Sequence, residues 1–459
     1  MTIRFFSPNY LLIFAALCPL LVSAVEPKTW NFAYANESPL DMEVSTLIEE
    51  INTPSVRPSF GSLKKIYSNA YKSVPAIRKT TAELNGLRMG VAEKEGKLYP
   101  RVTLQTNSGQ SSVDTQASKA NDQAGTTTLA ADQLLYDFGA TSSEIAAAKT
   151  RLAAGIDKVE AERLRVLFSM VTAQLELQAA KKLIVFYGSN EKSRQQFFDL
   201  VQEKLNLGAS SALDLARANT KLLESKAKIP AMAGEILRAE SAVQELFGVV
   251  PEFTFAFYQL PDFPVNFGGN IDLVVSRHPL VLQGSKNLEV AIKELNYLKS
   301  AALGRVSLKS SISNSKQPIT GNANTTSVFI EYSNTLFDGY SNLARIAVAK
   351  EKVAELEIEQ ERTVRMLRQQ LLTALTEYQS AKETLEMREK LLISARKSAR
   401  DLYTAFLLNR GSLTDIFDAE ESYFMAAEST LNAMTSVQRA YYKLLHLSGD
   451  LSNAFELKS

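Results

Sequence analysis

The sequence predicts an α+β chain built as two tandem repeats, each hanging a strand hairpin on very long helices. Three observations predict it. Short motifs recur at a constant offset, apolar residues recur at helical spacing over long proline-free stretches, and four short segments alternate apolar with polar side chains.

The repeat is visible in one ungapped register. Leu135-Tyr136-Asp137 returns as Leu336-Phe337-Asp338, and Ile145-Ala146-Ala147-Ala148-Lys149 returns as Ile346-Ala347-Val348-Ala349-Lys350, an offset of 201. The same offset carries Ser211 onto Ser412, Asp214-Leu215 onto Asp415-Ile416, Ala218 onto Ala419 and Gly248 onto Gly449. Upstream the offset is 204, matching Val74-Pro75 with His278-Pro279 and Arg101-Val102-Thr103-Leu104 with Arg305-Val306-Ser307-Leu308. Self-similarity at this spacing marks one structural unit used twice.

Each unit reads helix, strand, strand, long helix, helix. In the first, 63–95 is helical, about 101–112 and 126–138 are strands, Thr141 to Leu207 is one long helix, and a further helix runs from Ser211 to Phe247. Pro230 is expected to kink or break that last helix, since it lacks an N–H and its ring meets the preceding turn. In the second unit the helix is 271–303, the strands about 305–314 and 325–337, the long helix Ser341 to Leu408 and the last helix Leu413 to Leu447. A helix of about 67 residues rising 1.5 Å each is on the order of 100 Å long, more than a compact globule needs. Its stripe of Ile346, Ala349, Val353, Leu356, Val364, Leu367, Leu371, Leu375 and Tyr378 is the mark of sustained helix packing. Alanines on further faces let each helix touch neighbours on both sides, as helices do in sheets or hollow barrels.

The second unit's strands alternate with period two between an apolar and a mostly polar face. Val328, Ile330, Tyr332, Asn334 and Leu336 face one way and Phe329, Glu331, Ser333, Thr335 and Phe337 the other; Val306, Leu308, Ser310 and Ile312 alternate with Ser307, Lys309, Ser311 and Ser313. This suits either a strand crossing an outer membrane or a hairpin on a soluble core. In the membrane, four strands cannot close a barrel, because every backbone group facing lipid must be paired. Several chains would then have to share one.

Composition removes other classes. The 459 residues include 51 Lys and Arg against 50 Asp and Glu, with 45% hydrophobic residues, too balanced for nucleic-acid binding, which depends on clustered cations. Residues 1–24 read as a signal peptide: Arg4, an apolar run from Tyr10 to Val22, and Val22-Ser23-Ala24 before the cut. Its removal takes one Arg and no acid, leaving a neutral mature chain starting near Val25. Cys18 leaves with it, preceded by Leu17 and followed by Pro19, so neither lipidation nor a disulfide is expected. No later stretch approaches the apolar length of a membrane helix. His278 and His446 lie at helix edges without metal-ligand spacing, and no Gly-x-Ser-x-Gly elbow or phosphate loop occurs. No enzyme, cofactor or metal is expected.

With its leader, its two helix–hairpin–helix units, and Leu135-Tyr136-Asp137-Phe138-Gly139 and Leu336-Phe337-Asp338-Gly339 entering long helices, the chain resembles the TolC family of outer-membrane factors. Ser412-Leu413-Thr414-Asp415-Ile416-Phe417-Asp418-Ala419 looks like that family's aspartate-bearing segment. The resemblance covers 63–451. It implies an α+β membrane protein of the outer membrane: a homotrimer in which each chain adds four strands to a shared twelve-stranded barrel and four helical columns to a long α-helical periplasmic barrel. It implies a passive exit duct for a tripartite export system, either type I protein secretion or efflux. The partners are a periplasmic adaptor and an inner-membrane transporter, docked at the turns Gly208–Asp214 and Asn409–Asp415, and outer-membrane lipid. The domains follow: 1–24 leader, 25–60 N-terminal extension, 61–250 first repeat, 251–270 Pro-rich crossover, 271–451 second repeat, 452–459 tail.

Carried over residue by residue, Asp415 and Asp418 match a cation-selective ring of carboxylates at the channel gate, and Asp214 a latch aspartate. Ser211-x-x-Asp214 and Ser412-x-x-Asp415 are equally helix-start patterns, in which Ser caps and the acid sits near the positive helix end. Phe406 and Gly411 stand where the family commonly has Tyr and Arg, so the gate is held differently here, with Arg410 a candidate substitute. The competing class is a soluble periplasmic coiled-coil adaptor or scaffold.

Overall fold

The computed structural model describes residues 67, 73–114, 119–250, 271–317, 321–408 and 410–455. The expected leader, the 25–60 extension, the 251–270 crossover, Asn409 and the last four residues of the tail lie outside the described residues. So does most of the expected helix before Pro75.

The first unit comprises α1 (Pro75–Glu95), β1 (Arg101–Asp114), β2 (Lys119–Tyr136), α2 (Ala140–Asn206) and α3 (Ala212–Phe247). The second comprises α4 (Ile271–Arg277), α5 (Pro279–Ala301), β3 (Arg305–Gln317), β4 (Gly321–Ser333), α6 (Ser341–Leu407) and α7 (Leu413–Ser448), followed by α8 (Leu451–Ala454). Both α2 and α6 contain 67 residues. No described helix is long and apolar enough to cross a membrane.

The repeats enter their long helices the same way. The Thr141 N–H donates to Asp137 Oδ2 at 2.6 Å, and the equivalent Asn342 N–H donates to Asp338 Oδ2 at 2.8 Å. Two left-handed residues form each junction, Phe138-Gly139 and Gly339-Tyr340. An aromatic residue at positive φ costs on the order of 1–3 kcal/mol, offset here by satisfying a helix start.

Three expectations are corrected. Of the kink or break expected at Pro230, the break does not occur, since α3 continues through it as one helix; Pro230 is exposed, so water can solvate the carbonyl that its missing N–H leaves free, while Leu222 and Val243 on either side stay buried. The expected helix 271–303 is two helices, because Pro279 takes the first helical position of α5 and His278 caps it, its Nδ1 accepting from the Leu280 N–H at 3.3 Å. The strands also differ in extent: all four reach further from the helices than expected, while β2 stops at Tyr136 and β4 at Ser333, beyond which Asp137 and Asp338 turn to capping.

The four strands form one antiparallel sheet in the order β1-β2-β3-β4. Its register stacks the apolar side chains in rows: Leu104 opposite Leu129 opposite Ile312, and Leu308 opposite Ile330. The other face carries polar contacts, including an ion pair of Lys309 with Glu331 and a 2.8 Å bond between the Ser311 and Ser327 hydroxyls. Among the described residues no helix covers the apolar rows; Leu104 is 71% and Ile330 69% exposed. The apolar band from Val306 to Ile312 is about 20 Å long at the usual rise per residue. Gly304, at φ +87°, lets α5 turn into β3 where a Cβ would meet the Ser333 carbonyl oxygen at 2.5 Å.

The helical core is built on α2. Leu164, Leu167, Met170 and Val171 of α2 pack with Val243 and Phe247 of α3, Tyr441 and Leu445 of α7, and Leu451 and Phe455. Each fully buried side chain of this kind contributes about 1.5–3 kcal/mol. Helix α2 packs on α1 and α3 of its own repeat and on α5 and α7 of the other. Its repeat mate α6 packs on α4, α5 and α7 and leaves far more surface open, with Val348, Ile358 and Ile393 exposed.

The two histidines, far apart in sequence, meet in this core. His446 stacks on Phe168 at 4.9 Å, and burial, then the neighbouring His278, pushes its imidazole down to about 4; burial lowers His278 as well. The unfolded chain therefore binds protons between about pH 6.5 and 4 that the folded chain refuses, so this contribution to stability is present above about pH 6.5 and lost as pH falls. At 1.36 kcal/mol per pKa unit it amounts to about 3 kcal/mol. Acid melts should show a steep loss of helix signal over that window, and His446→Phe should flatten it; an unchanged slope would contradict the assignment.

Candidate functional site

At the end of the helices remote from the sheet, two turns lie side by side, α2 to α3 and α6 to α7. Ser211 starts α3 with a reciprocal capping box: the Asp214 N–H donates to Ser211 Oγ at 3.1 Å, and the Ser211 N–H donates to Asp214 Oδ2 at 3.2 Å. The Ser211 hydroxyl also donates to Asp214 at 2.7 Å and is the main reason that carboxyl lies below its usual range. Asp214 is thus committed to its own helix. Its repeat mate differs. Ser412 caps α7 by accepting from the Thr414 N–H at 3.2 Å, α7 has no reciprocal capping box, and Asp415 and Asp418 are exposed along one side of the helix. Arg217 Nη1 donates to Thr414 Oγ1 at 3.3 Å, joining the two turns.

Phe406 is buried and stacks on Phe197 of α2 at 5.9 Å. The Lys204 ammonium sits 3.7 Å from the centre of its ring, a cation–π contact, and burial lowers that amine's pKa. Gly411 packs where a Cβ would approach the Phe406 backbone nitrogen to 3.1 Å. Arg410 is exposed. Phe406 therefore serves the apolar cluster of Phe197, Val201, Ala218, Ile416 and Phe417 that binds all four helix ends together.

Just above that cluster lies a group of charges. Arg194 of α2 donates to Glu420 of α7 at 2.9 Å, both side chains 2% exposed, and to Glu421 at 3.3 Å. The guanidinium lies between the Phe417 and Phe424 rings, 5.7 and 5.9 Å from their centres. Burial raises the Glu420 carboxyl to about 7, against the opposing pull of Arg194. The pair was not among the residues singled out from sequence. Its signal was a charge in each buried stripe, Arg194 between Phe186 and Phe197 and Glu420 between Ile416 and Tyr423.

Among the described residues no cluster of three or more His, Cys, Asp or Glu side chains could hold a metal. What the arrangement offers is a pair of helical turns, fastened together and lined on one side by carboxylates, at one end of a shaft about 100 Å long, with an amphipathic sheet at the other.

Residues 66–249 and 270–450, the two repeats in turn, match the outer membrane efflux protein family. The chain belongs to that family. Among curated relatives of this efflux protein, the outer membrane efflux protein BepC of Brucella suis is 20% identical over 407 residues, 85% of each chain. The cation efflux system protein CusC of Escherichia coli K12 is 20% identical over 378 residues, 81% of this chain and 82% of CusC. Among solved structures, the Campylobacter jejuni CmeC outer membrane channel superposes with a TM-score of 0.75 at 14% identity, covering 92% of this chain and 94% of CmeC. The resemblance to the TolC family and the α+β fold of long helices and strand hairpins are thereby established. The family is one of channel proteins and its location is the outer membrane.

Proposed function

We propose that three copies of this chain form one channel, a twelve-stranded barrel in the outer membrane continued by a periplasmic helical tunnel, serving as the passive exit duct of a tripartite export system. One observation carries the reading: the chain is incomplete in the same way at both ends. Strands β1 and β4 are edges with no further partner among the described residues, and α6 lacks the second set of neighbours that its repeat mate α2 has. A single operation, placing the next copy's first repeat beside this copy's second, supplies β1 to β4 and α1 and α3 to α6. Repeated around an axis it closes a ring, which lipid requires of strands. The uncovered apolar rows of the sheet favour this over a soluble adaptor or scaffold, whose hairpins would have to bury them.

In this reading an adaptor and an inner-membrane transporter dock at the turns, and the exported cargo is a protein, or a drug or metal ion. Asp415 and Asp418 of three copies gather around the axis and set up a negative potential that favours cations. Detergent extracts of outer membranes should yield heat-resistant trimers that conduct in planar bilayers; a water-soluble monomer released by osmotic shock would overturn the reading. Asp415→Asn with Asp418→Asn should lower the cation-to-anion permeability ratio several-fold, and unchanged selectivity would remove those residues from the gate.

A further inference from the structure

We infer that the next copy's β1 joins this copy's β4 in one fixed register, keyed where Phe329 covers the next copy's Gly109, and that β4 lengthens from Ser333 to Phe337 as it does so. The inference rests on the trimeric reading above and adds to it which residue meets which. It follows from the repeat. Within the two hairpins Arg101 lies opposite Asp132 and Arg305 opposite Ser333, so β1 maps onto β3 by 204 residues and β2 onto β4 by 201. The junction of β2 with β3, which the chain contains, is thereby the pattern for the junction of β4 with the next copy's β1. Asp132 opposite Lys309 becomes Ser333 opposite Gln105, and Ala130 opposite Ser311 becomes Glu331 opposite Asn107. Thr128 opposite Ser313 becomes Phe329 opposite Gly109, and Tyr136 opposite Val306 becomes Phe337 opposite Val102.

The ends of the strands fit this register. Strand β2 continues past Asp132 to Tyr136, and over that stretch its partner is β3 alone. Strand β4 stops at Ser333, the repeat mate of Asp132, where its own hairpin partner gives out. Just beyond it stand Leu336, 93% exposed, and Phe337, 74% exposed; the Val102 that would lie opposite Phe337 is exposed as well. A second fit lies further along. Arg101, Asp132, Lys309 and Phe329 form one row across the sheet, so Phe329 and Gly109 share the polar face at its two edges. Phe329 is an exposed ring on that face. Gly109 is bare strand: its φ lies outside the left-handed region, and a Cβ there would meet nothing within 4 Å. Its backbone does not need glycine, and a glycine inside a strand marks the close approach of another group. A ring laid across it from the facing strand is such a group. Sliding the strands by one residue would set the polar face of one copy against the apolar face of the next. Sliding them by two would keep the faces but lay the ring on a side chain, so the ring and the bare strand select one register.

Disulfide formation reads that register directly, because Cys18 in the expected leader is the chain's sole cysteine. Ser333→Cys with Gln105→Cys should link subunits of the trimer on mild oxidation, giving covalent dimers and trimers on denaturing gels that a reductant reverses. Ser333→Cys with Thr103→Cys, or with Asn107→Cys, moves one thiol two residues along the same face and should link at least tenfold more slowly. Equal or faster linking of a shifted pair, or no linking of any pair in an intact trimer, overturns the inference and leaves the trimer standing. A chain that stays monomeric in mild detergent before oxidation overturns the trimeric reading, and the inference with it. The key is tested apart from the register. Phe329→Gly should lower the temperature at which the trimer dissociates by several degrees, and adding Gly109→Phe, which hands the ring to the other edge, should recover most of that shift. An unchanged dissociation temperature, or no recovery, overturns the pairing of Phe329 with Gly109.

Discussion

Arg194→Ala is expected to destabilise the end of the helical shaft by about 3–5 kcal/mol, the usual effect of leaving one member of a buried ion pair without the other. Glu420, enclosed by Phe417, Phe424 and Tyr403 with its main cation gone, would have to take up a proton or stay charged in an apolar site. The measurable result is a lower unfolding midpoint in chemical denaturation and proteolytic cutting near the turns. Arg194→Met with Glu420→Leu should recover most of the loss, because apolar groups of similar volume need no partner. Equal destabilisation by the single and double changes would show that packing volume, not charge, holds this seam. Glu420 also has a pH signature. Its raised carboxyl favours the folded state fully below about pH 4.5, and that contribution is lost as pH rises through about 7, opposite in sign to His446. Glu420→Gln should remove this alkaline decline and leave the acid one.

The second large effect belongs to the sheet. Leu129 sits between Leu104 and Ile312 on the uncovered apolar face, and Leu129→Arg is expected to cost about 2–4 kcal/mol per copy if that face meets the middle of the bilayer. Thr128, one residue earlier, points to the opposite face, and Thr128→Arg should be tolerated there in water. The comparison is read as the yield of heat-resistant trimer from outer membranes. Equal yields from the two variants would mean that neither face is in lipid.

Much of this architecture was legible because it is written in local periodicity. Val306, Leu308 and Ile312 on one face need only a pleated backbone to line up, and Val364, Leu367 and Leu371 need only a helix, so both patterns were readable before any contact was known. The repeat was readable for the same reason: equal segments fold alike, down to Asp137 and Asp338 capping equivalent helices. At the turns, Ser211 and Asp214 were readable as a cap because all the groups involved lie within four residues. That Pro230 would not break its helix was not readable, since the cost of a missing hydrogen bond depends on whether solvent reaches the freed carbonyl, and that is a property of the assembled surface. The place of Phe406 was equally hidden. A phenylalanine lacking the family's hydroxyl looked like a loss, whereas Phe197 and Lys204 make it a packing centre.

By itself the sequence determined the elements, their order and their duplication, because those depend on side-chain spacing along a few turns of chain. Only the tertiary structure decided how the two copies differ in use. Arg194 and Glu420 are 226 residues apart, and nothing local to either says that the other will be there when water is excluded. The same holds for His278 and His446, and for the unequal burial of α2 and α6. Burial is set by what the whole chain folds around a group, so the energy of a charge could be assigned only once the neighbours were in place.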